Sequence, residues 1–335
     1  MPDRLTSATV LGTGVAGLAL AAELTRRGVG VTVIDRAGAP GPSACSWWAG
    51  GMLAPFCEGE SAEEPVVRLG QEAAGWWERA AGGVARAGTL VLALGRDRGE
   101  LDRFARRTTA HRMLGREEIG ALEPDLAGRF ERALFFEEEA HLDPRATLTA
   151  LRDRLAAAGV PILTGEAPPG GSAEAGPVFD CRGLAARDDL ADLRGVKGEM
   201  LVLRCPDVAL ARPVRLLHPR IPLYIVPRGD GVFMLGATMI ESGERGRITA
   251  RSLLEMLTAA YALHPAFGEA EVLEIGVDAR PAFPDNLPRI RRRGSRIYLN
   301  GLYRHGFLLA PALARMAADL VTGGPRPEVM DEDRA

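Results

Sequence analysis

Three glycines near the start of the chain have the spacing of a turn that binds phosphate. Gly12, Gly14 and Gly17 form the pattern Gly-x-Gly-x-x-Gly between a short apolar segment and a longer segment rich in Ala and Leu. Glycine at these positions permits a tight turn, close approach of a pyrophosphate and close packing of a helix on a strand. The free N–H groups and the positive dipole end of that helix would face the phosphates. We therefore expect Gly12, Gly14, Val15, Ala16 and Gly17 to bind a dinucleotide.

An acidic residue follows where the next predicted strand ends. Asp35 closes the apolar segment 30–34, and Arg36 follows it. A carboxylate at this point can accept hydrogen bonds from ribose hydroxyls, and it would repel the 2'-phosphate of NADP. The strand, helix, strand and acid together predict a dinucleotide-binding βαβ unit, with Asp35 and Arg36 among its expected cofactor contacts, and they leave both NAD and FAD open.

The elements that must position these residues follow from the periodicity of apolar side chains and from capping signals. The first unit comprises a strand at 9–11, a helix at 16–27 and a strand at 30–34. Asp143 and Pro144 have the residue types of an N-cap and a first helical position, so another helix is expected to begin there. We further predict helices at 63–79, 116–122, 144–158, 250–263 and 307–321, and strands at 89–94, 134–136, 160–163, 178–180, 200–203, 223–226, 232–238, 271–277 and 297–300. The polar tail from residue 323 is expected to be frayed.

Charge and cysteine content exclude several classes of partner. The chain has 335 residues, with 41 basic and 44 acidic side chains and a net charge of -3. It contains no basic tract that would attract nucleic acid or anionic lipid, so small molecules are the expected partners. Cys45, Cys57, Cys181 and Cys205 lack the CxxC spacing, and the histidines are scattered singly. We expect no metal, reduced thiols and a cytoplasmic protein.

The apolar segment 8–24 is expected to lie inside a soluble protein and not in a membrane. No lysine-rich region precedes it, and three glycines interrupt it. It is also shorter than the roughly 20 apolar residues that a membrane span needs. We therefore expect neither a signal peptide nor a membrane partner.

Small residues between positions 43 and 55 indicate that a second section of a cofactor approaches the backbone there. They are Ser43, Ser46, Ala49, Gly50, Gly51 and Met52, and they surround the pair Trp47 and Trp48. Such residues would let backbone amide groups approach a bulky cofactor. An ordinary hydrophobic loop with a buried tryptophan pair explains the same residues.

Six segments together resemble the glycine oxidase and D-amino-acid oxidase family, in particular the glycine oxidases of thiamin biosynthesis, the ThiO type. They are residues 12–36, 46–53, 196–199, 224–228, 279–281 and 301–311, and they occur in the family's order over nearly the whole chain. The last segment, Gly-Leu-Tyr-Arg-His-Gly-Phe-Leu-Leu-Ala-Pro, is the most specific. The resemblance implies FAD and not NAD.

The resemblance also implies how FAD would be held. Related flavoenzymes attach the flavin covalently through a His in the segment like 46–51 or a Cys just beyond the Arg-Pro segment, and this chain has neither. We therefore expect non-covalent FAD. The helix that starts near Gly306 would aim its N–H groups at the flavin N1 and C2 carbonyl, where negative charge grows on reduction. The remaining expected cofactor contacts are Gly183, Tyr303, Arg304, His305, Gly306, Phe307 and Leu308.

Three residues match positions that hold the substrate in the family. Arg280, directly after a predicted apolar strand, matches the arginine that binds the substrate carboxylate, and a guanidinium suits this role because its planar fork donates two parallel hydrogen bonds. Tyr224 matches a tyrosine that binds the same carboxylate, and Arg304 matches an arginine beside substrate and flavin. A solvated surface charge and a half-buried strand tyrosine are the alternatives. His305 invites a general-base role, but it has no evident orienting partner, and a neutral substrate amine needs no base.

The fold class that we predict is α/β. The length favours two domains, and the resemblance implies a Rossmann-like FAD-binding domain plus a discontinuous α+β substrate domain with a mainly antiparallel sheet, as in D-amino-acid oxidase. We assign residues 1–80, 140–195 and 280–325 to the FAD-binding domain, 81–139 and 196–279 to the substrate domain, and 326–335 to a tail.

The activity that the resemblance implies is FAD-dependent oxidative deamination of glycine or another small amino acid or amine. Hydride transfer from Cα to flavin N5 would give an imine, then an oxo acid and ammonia, while oxygen reoxidises the flavin and yields hydrogen peroxide. The product would feed thiamin (thiazole) biosynthesis. A D-amino-acid dehydrogenase with a different electron acceptor and a non-enzymatic dinucleotide-binding protein stay open as alternatives. The exact substrate and a homo-oligomeric state are open as well.

Overall fold

The computed structural model describes residues 5–166, 176–218 and 223–331, which form two large sheets, one two-stranded sheet and the helices around them. The strands are β1 (Ser7–Leu11), β2 (Gly30–Asp35), β3 (Met52–Leu53), β4 (Thr89–Ala93), β5 (Arg112–Gly115), β6 (Arg132–Phe136), β7 (Ala140–His141), β8 (Ile162–Thr164), β9 (Val178–Asp180), β10 (Arg194–Arg204), β11 (Val214–Leu217), β12 (Leu223–Gly229), β13 (Val232–Gly236), β14 (Glu271–Ala282), β15 (Arg289–Arg293) and β16 (Arg296–Asn300). The helices are α1 (Val15–Arg26), α2 (Pro55–Glu58), α3 (Glu64–Gly70), α4 (Ala73–Ala80), α5 (Arg98–Arg107), α6 (Arg116–Leu122), α7 (Pro144–Ala157), α8 (Ala250–Leu263) and α9 (Gly306–Thr322).

The first large sheet is the Rossmann-like sheet that the sequence predicts. Its order is β15-β16-β9-β1-β2-β8, and its neighbouring strands run parallel apart from the edge pair β15 and β16. Parallel strands need crossover connections, and helices supply them and cover the sheet. Helix α1 packs against both α7 and α9, and Leu18, Leu20 and Leu24 of α1 are fully buried there.

The second large sheet has the order β14-β10-β13-β12-β11-β4-β6-β5. Its neighbouring strands are antiparallel except for the parallel pair β11 and β4. Helix α8 packs on β12 and β13 and buries Met256, Ala260 and Leu263. The predicted α/β fold class, with a mainly antiparallel second sheet, is confirmed. We propose that the two large sheets mark the two domains, and the domain bounds stay a prediction.

Capping and glycine signals gave several helix bounds correctly. Helices α6 and α8 have the predicted ends. Helix α7 begins at Pro144, and the Asp143 carboxylate accepts the N–H groups of Arg145 at 2.8 Å and Ala146 at 3.0 Å. Such a cap satisfies N–H groups that the first helical turn leaves unpaired.

The single helix predicted at residues 63–79 is wrong, because this segment forms α3 and α4. Helix α3 ends at Gly70, where the chain approaches α9 closely: a Cβ on Gly70 would lie 2.7 Å from Cγ of Leu308. Trp77 of α4 then donates its indole N–H to the Phe307 carbonyl at 2.7 Å. The apolar period continues across the break, so the sequence alone did not reveal it.

The predicted end of the strand before Arg280 is also wrong. Strand β14 runs on to Ala282 and pairs with β10 along its length, with Arg280 opposite Val196. Arg280 therefore lies within a strand and not after one. The charged residues Asp278 and Arg280 weaken the local strand signal, and pairing with β10 overrides it. Helix α5 and strand β11 were not predicted.

The tail expected to be frayed is ordered as far as the structure describes it. The Ile290 N–H donates to the Val329 carbonyl at 3.1 Å, and the Asp331 N–H donates to the Ile290 carbonyl at 3.1 Å. The Asp331 carboxylate also pairs with Arg289 at 2.9 Å and Arg291 at 2.7 Å. The expectation is wrong for residues 329–331, while 332–335 lie outside the described residues.

We predict that Gly17→Ala lowers the free energy of unfolding by about 1–3 kcal/mol or more, because the added Cβ would overlap the Gly12 carbonyl oxygen, and such overpacking forces the backbone apart. Urea and thermal unfolding measure the change. Gly99→Ala is the matched control: Gly99 lies in α5, and an added Cβ meets nothing within 4 Å. The free energy of unfolding of this control should rise by about 0.5–1 kcal/mol, because alanine favours the helix more than glycine does. A Gly17→Ala protein as stable as wild type would contradict the tight packing of this turn.

Candidate active site

A cavity of about 1070 Å³ is bounded by both large sheets, which is room for a large ligand. Its wall includes the ends of β1, β2 and β16 from the first sheet and parts of β10, β11, β12 and β14 from the second. Every residue predicted to bind cofactor or substrate lies on this wall except Gly17. Gly17 instead faces the carbonyl of Gly12 inside the turn, so its role is to let α1 pack closely after β1.

The turn from β1 into α1 presents backbone N–H groups to the cavity. Gly12 has a φ of 104°, and a Cβ there would lie 2.9 Å from the Cys181 carbonyl oxygen, so glycine is required. The N-cap Gly14 offers no side chain to the helix, and the first turn of α1 carries no acidic residue. The Val15 N–H donates to the Ser46 hydroxyl at 3.3 Å, which joins the second predicted cofactor segment to this turn. The helix dipole favours an anionic group here.

Asp35 lies beside this turn at the end of β2. Its Oδ2 accepts the Thr13 N–H at 2.9 Å, and its Oδ1 accepts the Ala37 N–H at 2.7 Å. These bonds fix the carboxylate on the cavity wall, and each oxygen keeps a lone pair for an external donor. The neighbouring Arg36 forms an exposed ion pair with Glu166 at 3.2 Å.

A second helix start reaches the same cavity from the other end of the chain. The turn before α9 contains Gly301 with a φ of 76° and Tyr303 with a φ of 51°, and the Tyr303 N–H donates to the Pro281 carbonyl at 2.9 Å. At Gly306 a Cβ would lie 3.3 Å from Cγ1 of Val15, so α1 and α9 begin next to each other. The side chain of the N-cap His305 makes no capping bond to α9.

Arg280 projects from β14 into the cavity wall. Its Nη1 donates to the Thr238 carbonyl at 3.1 Å, and its guanidinium lies directly over Gly198, where any Cβ would collide with it. Among the described residues, no carboxylate lies within ion-pair distance of Arg280. This cation therefore has free donors for an external carboxylate.

Tyr224 lies beside Arg280 on the same sheet. Its ring occupies the space left by two glycines: a Cβ on Gly50 would lie 2.7 Å from the ring, and a Cβ on Gly236 would collide with the hydroxyl. Burial raises the pKa of Tyr224, so the phenol keeps its proton at neutral pH. In the part of the chain that the structure describes, its hydroxyl has no hydrogen-bond partner, which leaves it free to donate to a ligand.

Arg304 belongs to a cluster centred on a carboxylate that the sequence did not single out. Glu58 pairs through Oε2 with Arg304 at 2.7 Å and through Oε1 with Arg215 at 2.5 Å. Arg304 also donates to the Ser61 hydroxyl at 2.7 Å. Burial opposes ionisation of Glu58, but the two arginines hold its pKa well below the usual range. Glu58 is therefore a fixed anion and not a proton acceptor.

His305 does have an orienting partner, so that expectation is wrong. Its Nε2 lies 2.9 Å from Oε2 of Glu58, a contact between residues far apart in sequence. Burial lowers the pKa of His305, which favours the neutral ring, and its Nε2 also lies 3.2 Å from Nε of Arg304. His305 thus supports the cluster, and its other ring nitrogen is buried without a described partner.

Comparison with known proteins decides the family. A family model described as FAD dependent oxidoreductase matches residues 7–320. The chain belongs to this family. It is 58% identical over 321 residues to a Rhizobium etli protein named as a thiamine biosynthesis oxidoreductase, ThiO, which covers 95% of this chain and 98% of that protein. It is 28% identical to a glycine oxidase of Pseudomonas aeruginosa over 94% of both chains. The crystal structure of glycine oxidase from Geobacillus kaustophilus has the same fold, with a TM-score of 0.79, 23% identity and 96% of each chain covered.

The cofactor of this family member is FAD, as the sequence predicts, and the cavity fits it. The start of α1 and the carboxylate of Asp35 suit a pyrophosphate and a ribose, because one offers N–H donors and the other accepts from hydroxyls. Gly50 and Gly51 leave the backbone of the second segment open to the cavity. The individual contacts with FAD stay a proposal. No described helix is long and apolar enough to cross a membrane.

The sequence missed the residues whose roles depend on distant partners. Glu58 and Arg215 are separated by 157 positions, and Glu58 and His305 by 247. The one local signal was a carboxylate at the end of the otherwise apolar stretch 52–57, since a charge in such a stretch is buried only when it is paired.

A further buried carboxyl lies behind this cluster. Oε1 of Glu139 accepts the Cys57 N–H at 2.7 Å, while Oε2 is buried without a partner among the described residues. Burial raises the pKa of Glu139 to about 7. The folded protein therefore binds this proton more tightly than the unfolded chain does. The resulting stability is full below the unfolded pKa and is lost as the pH rises through about 7,.

We predict that Glu139→Gln removes this loss, because glutamine keeps the acceptor for the Cys57 N–H and cannot ionise. Above pH 7 the variant should exceed wild type in unfolding free energy by on the order of 3 kcal/mol, from the raised pKa,, and the difference should vanish in acid. Chemical unfolding across this pH range measures it. Glu138→Gln, at an exposed neighbour, is the control, and its unfolding free energy should change with pH in the same way as that of wild type. A pH-independent gap for Glu139→Gln would refute the shifted pKa.

Proposed function

We propose that this FAD-dependent oxidoreductase oxidises the amine of glycine or another small amino acid, and that its product serves thiamine biosynthesis. Oxygen is the proposed electron acceptor, and FAD is held without a covalent bond. The names of the relatives in Rhizobium etli and Pseudomonas aeruginosa support the pathway and the substrate class. The observation that carries the proposal is the unpaired guanidinium of Arg280 next to the free phenol of Tyr224 in the FAD cavity.

These two groups define the class of substrate. A guanidinium with free donors and a protonated phenol both favour binding of a carboxylate. Because both groups would hold the same carboxylate, they would also fix the orientation of the neighbouring Cα–H and amine. Arg304 is less suited to this role because its guanidinium already donates to Glu58 at 2.7 Å and to the Ser61 hydroxyl at 2.7 Å. Arg280 therefore becomes the proposed anchor, and Arg304 lies beside it as a wall of the site.

The reaction requires little acid–base chemistry from the protein. FAD, held by the start of α1 and by Asp35, would supply two-electron acceptor chemistry at the substrate Cα, with oxygen as the final acceptor and hydrogen peroxide as the product. The substrate amine loses one proton as the C=N bond forms, and water hydrolyses the imine to an oxo acid and ammonia. From glycine these products are glyoxylate and ammonia. The protein contributes mainly position, through Arg280 and Tyr224.

The first test mixes the purified enzyme with glycine, sarcosine and D-amino acids in the absence of oxygen. We expect glycine to bleach the flavin absorbance, and admission of oxygen to restore it with formation of hydrogen peroxide. Denaturation should release all of the flavin as FAD. Turnover only with an artificial acceptor would favour a dehydrogenase instead, and a flavin that no amine reduces would favour a non-enzymatic binding protein.

We predict that Arg280→Ala lowers kcat/KM by roughly 10² to 10⁴, because a charged contact with the substrate carboxylate is lost. Arg280→Lys should recover only part of this, since an ammonium cannot reproduce the planar fork. FAD content should be normal in both variants. Arg204→Ala, at an exposed arginine of β10, is the control and should behave as wild type. Wild-type flavin reduction by Arg280→Ala at low glycine concentration would place the anchor elsewhere.

A further inference from the structure

A second arginine lies on the same sheet face as the proposed anchor, on the other side of Tyr224. Arg215 of β11 is directly opposite Tyr224 of β12, so the two side chains share a face with their Cβ atoms roughly 5 Å apart. Arg280 reaches the same region from β14, through the Thr238 carbonyl at 3.1 Å. All three side chains line the cavity. The phenol thus lies between two guanidinium groups.

The charges around this face do not balance. Arg215 and Arg304 share the single carboxylate of Glu58, and Arg280 has no carboxylate within ion-pair distance among the described residues. Arg245, a further cation of the wall, has its own partner in Asp278 at 2.5 Å. Two positive charges are therefore left over. One substrate carboxylate on Arg280 neutralises only one of them.

Arg215 also has unused hydrogen-bond donors. Its side chain is 18% exposed, and it donates one N–H, from Nη2, to Glu58, whereas a guanidinium carries five. In the described part of the chain no other acceptor meets it. Glu139 is a further carboxyl whose charge acts on Arg215, but it lies beyond ion-pair distance. A buried cation with open donors facing a cavity is strongly favourable for an anion, because few protein or solvent groups compete.

We propose that Arg215 forms a second anion subsite, which holds the second acidic group of a dicarboxylic ligand whose first carboxylate lies on Arg280. This rests on the proposed function for the position of the first carboxylate. The subsite extends the substrate class from glycine to small amino acids with an additional carboxylate, and it gives them an advantage over isosteric neutral compounds. Glu58 tunes the subsite by neutralising part of the positive charge.

The test uses anions that have no amine and so are not oxidised. Acetate, succinate and succinamate are titrated into the FAD-loaded enzyme, and their dissociation constants are read from the perturbation of the flavin spectrum. Succinate and succinamate differ only in one carboxylate against one amide. We expect succinate to bind roughly tenfold to a hundredfold more tightly than succinamate, as for a hydrogen-bonded charge pair.

Variants separate the subsite from a structural role. Arg215→Gln should bring the ratio of the two dissociation constants close to one, and Arg215→Lys should retain part of it. Glu58→Gln should increase the preference for succinate, because Arg215 and Arg304 then lose their shared counter-charge, whereas a merely structural Glu58 would only weaken binding. Arg245→Gln is the matched control, since Arg245 lines the cavity with a carboxylate partner of its own, and it should keep the wild-type ratio.

The outcomes divide the two proposals. Equal affinity of wild type for succinate and succinamate, or a preference that Arg215→Gln leaves intact, overturns the subsite while acetate binding still supports the anchor at Arg280. Failure of all three anions to perturb the flavin overturns both the anchor and the subsite. If Arg215→Gln does not fold, the Glu58→Gln variant tests the subsite instead. A preference for succinate over succinamate that is higher than in wild type supports the subsite, and a lower preference rejects it.

Discussion

The packing of α1 against α9 is the contact on which the rest of the site depends. The two helices come from opposite ends of the chain, and Arg27, the C-cap of α1, pairs with Asp319 of α9 at 2.7 Å. Their first residues approach so closely that a Cβ on Gly306 would lie 3.3 Å from Val15. Two helix starts then face one cavity, and their dipoles add to a region of positive potential for the anionic parts of FAD. A shift of either helix would remove half of this arrangement.

In the proposed substrate site, the second sheet contributes both polar side chains and the space that its glycines leave for them. Gly198 and Gly236 leave room for the guanidinium of Arg280 and the phenol of Tyr224, and Gly50 borders the same phenol. Polar groups lying flat over glycines have little freedom to move, so a ligand that binds them loses less rotational entropy on their side. The fixed position of the substrate Cα would follow from this packing.

The sequence predicts those parts of the fold that local physics determines. The turn at Gly12, the cap at Asp143 and the ends of α6 and α8 follow from residue type and period, and the structure contains them. The sequence does not predict features that depend on contact with a residue distant in the chain. Helix α3 ends at Gly70, where Leu308 occupies the space that a side chain would need. The strand around Arg280 is stabilised by β10, and no local pattern records that pairing.

The candidate site divides along the same line. The cofactor segments were predicted because glycines and an acid at fixed spacing have few other uses, and the resemblance to a family supplied Arg280 and Tyr224. The Glu58 cluster could not be predicted, since its members come from α2, β11 and the turn before α9. Their ion pairs exist only after both sheets have assembled. Electrostatic networks of this kind are properties of the tertiary fold and leave almost no trace in sequence spacing.

The ordered segment at the end of the described chain has a consequence for how the molecule meets its neighbours. Strand β15 is the outermost strand of the first sheet, and an exposed outermost strand offers unpaired peptide groups to any extended chain. Val329 and Asp331 bond to both peptide groups of Ile290, and the Asp331 carboxylate holds Arg289 and Arg291 beside it. The segment therefore covers this edge of the sheet, and it hinders the addition of strands from other molecules at β15.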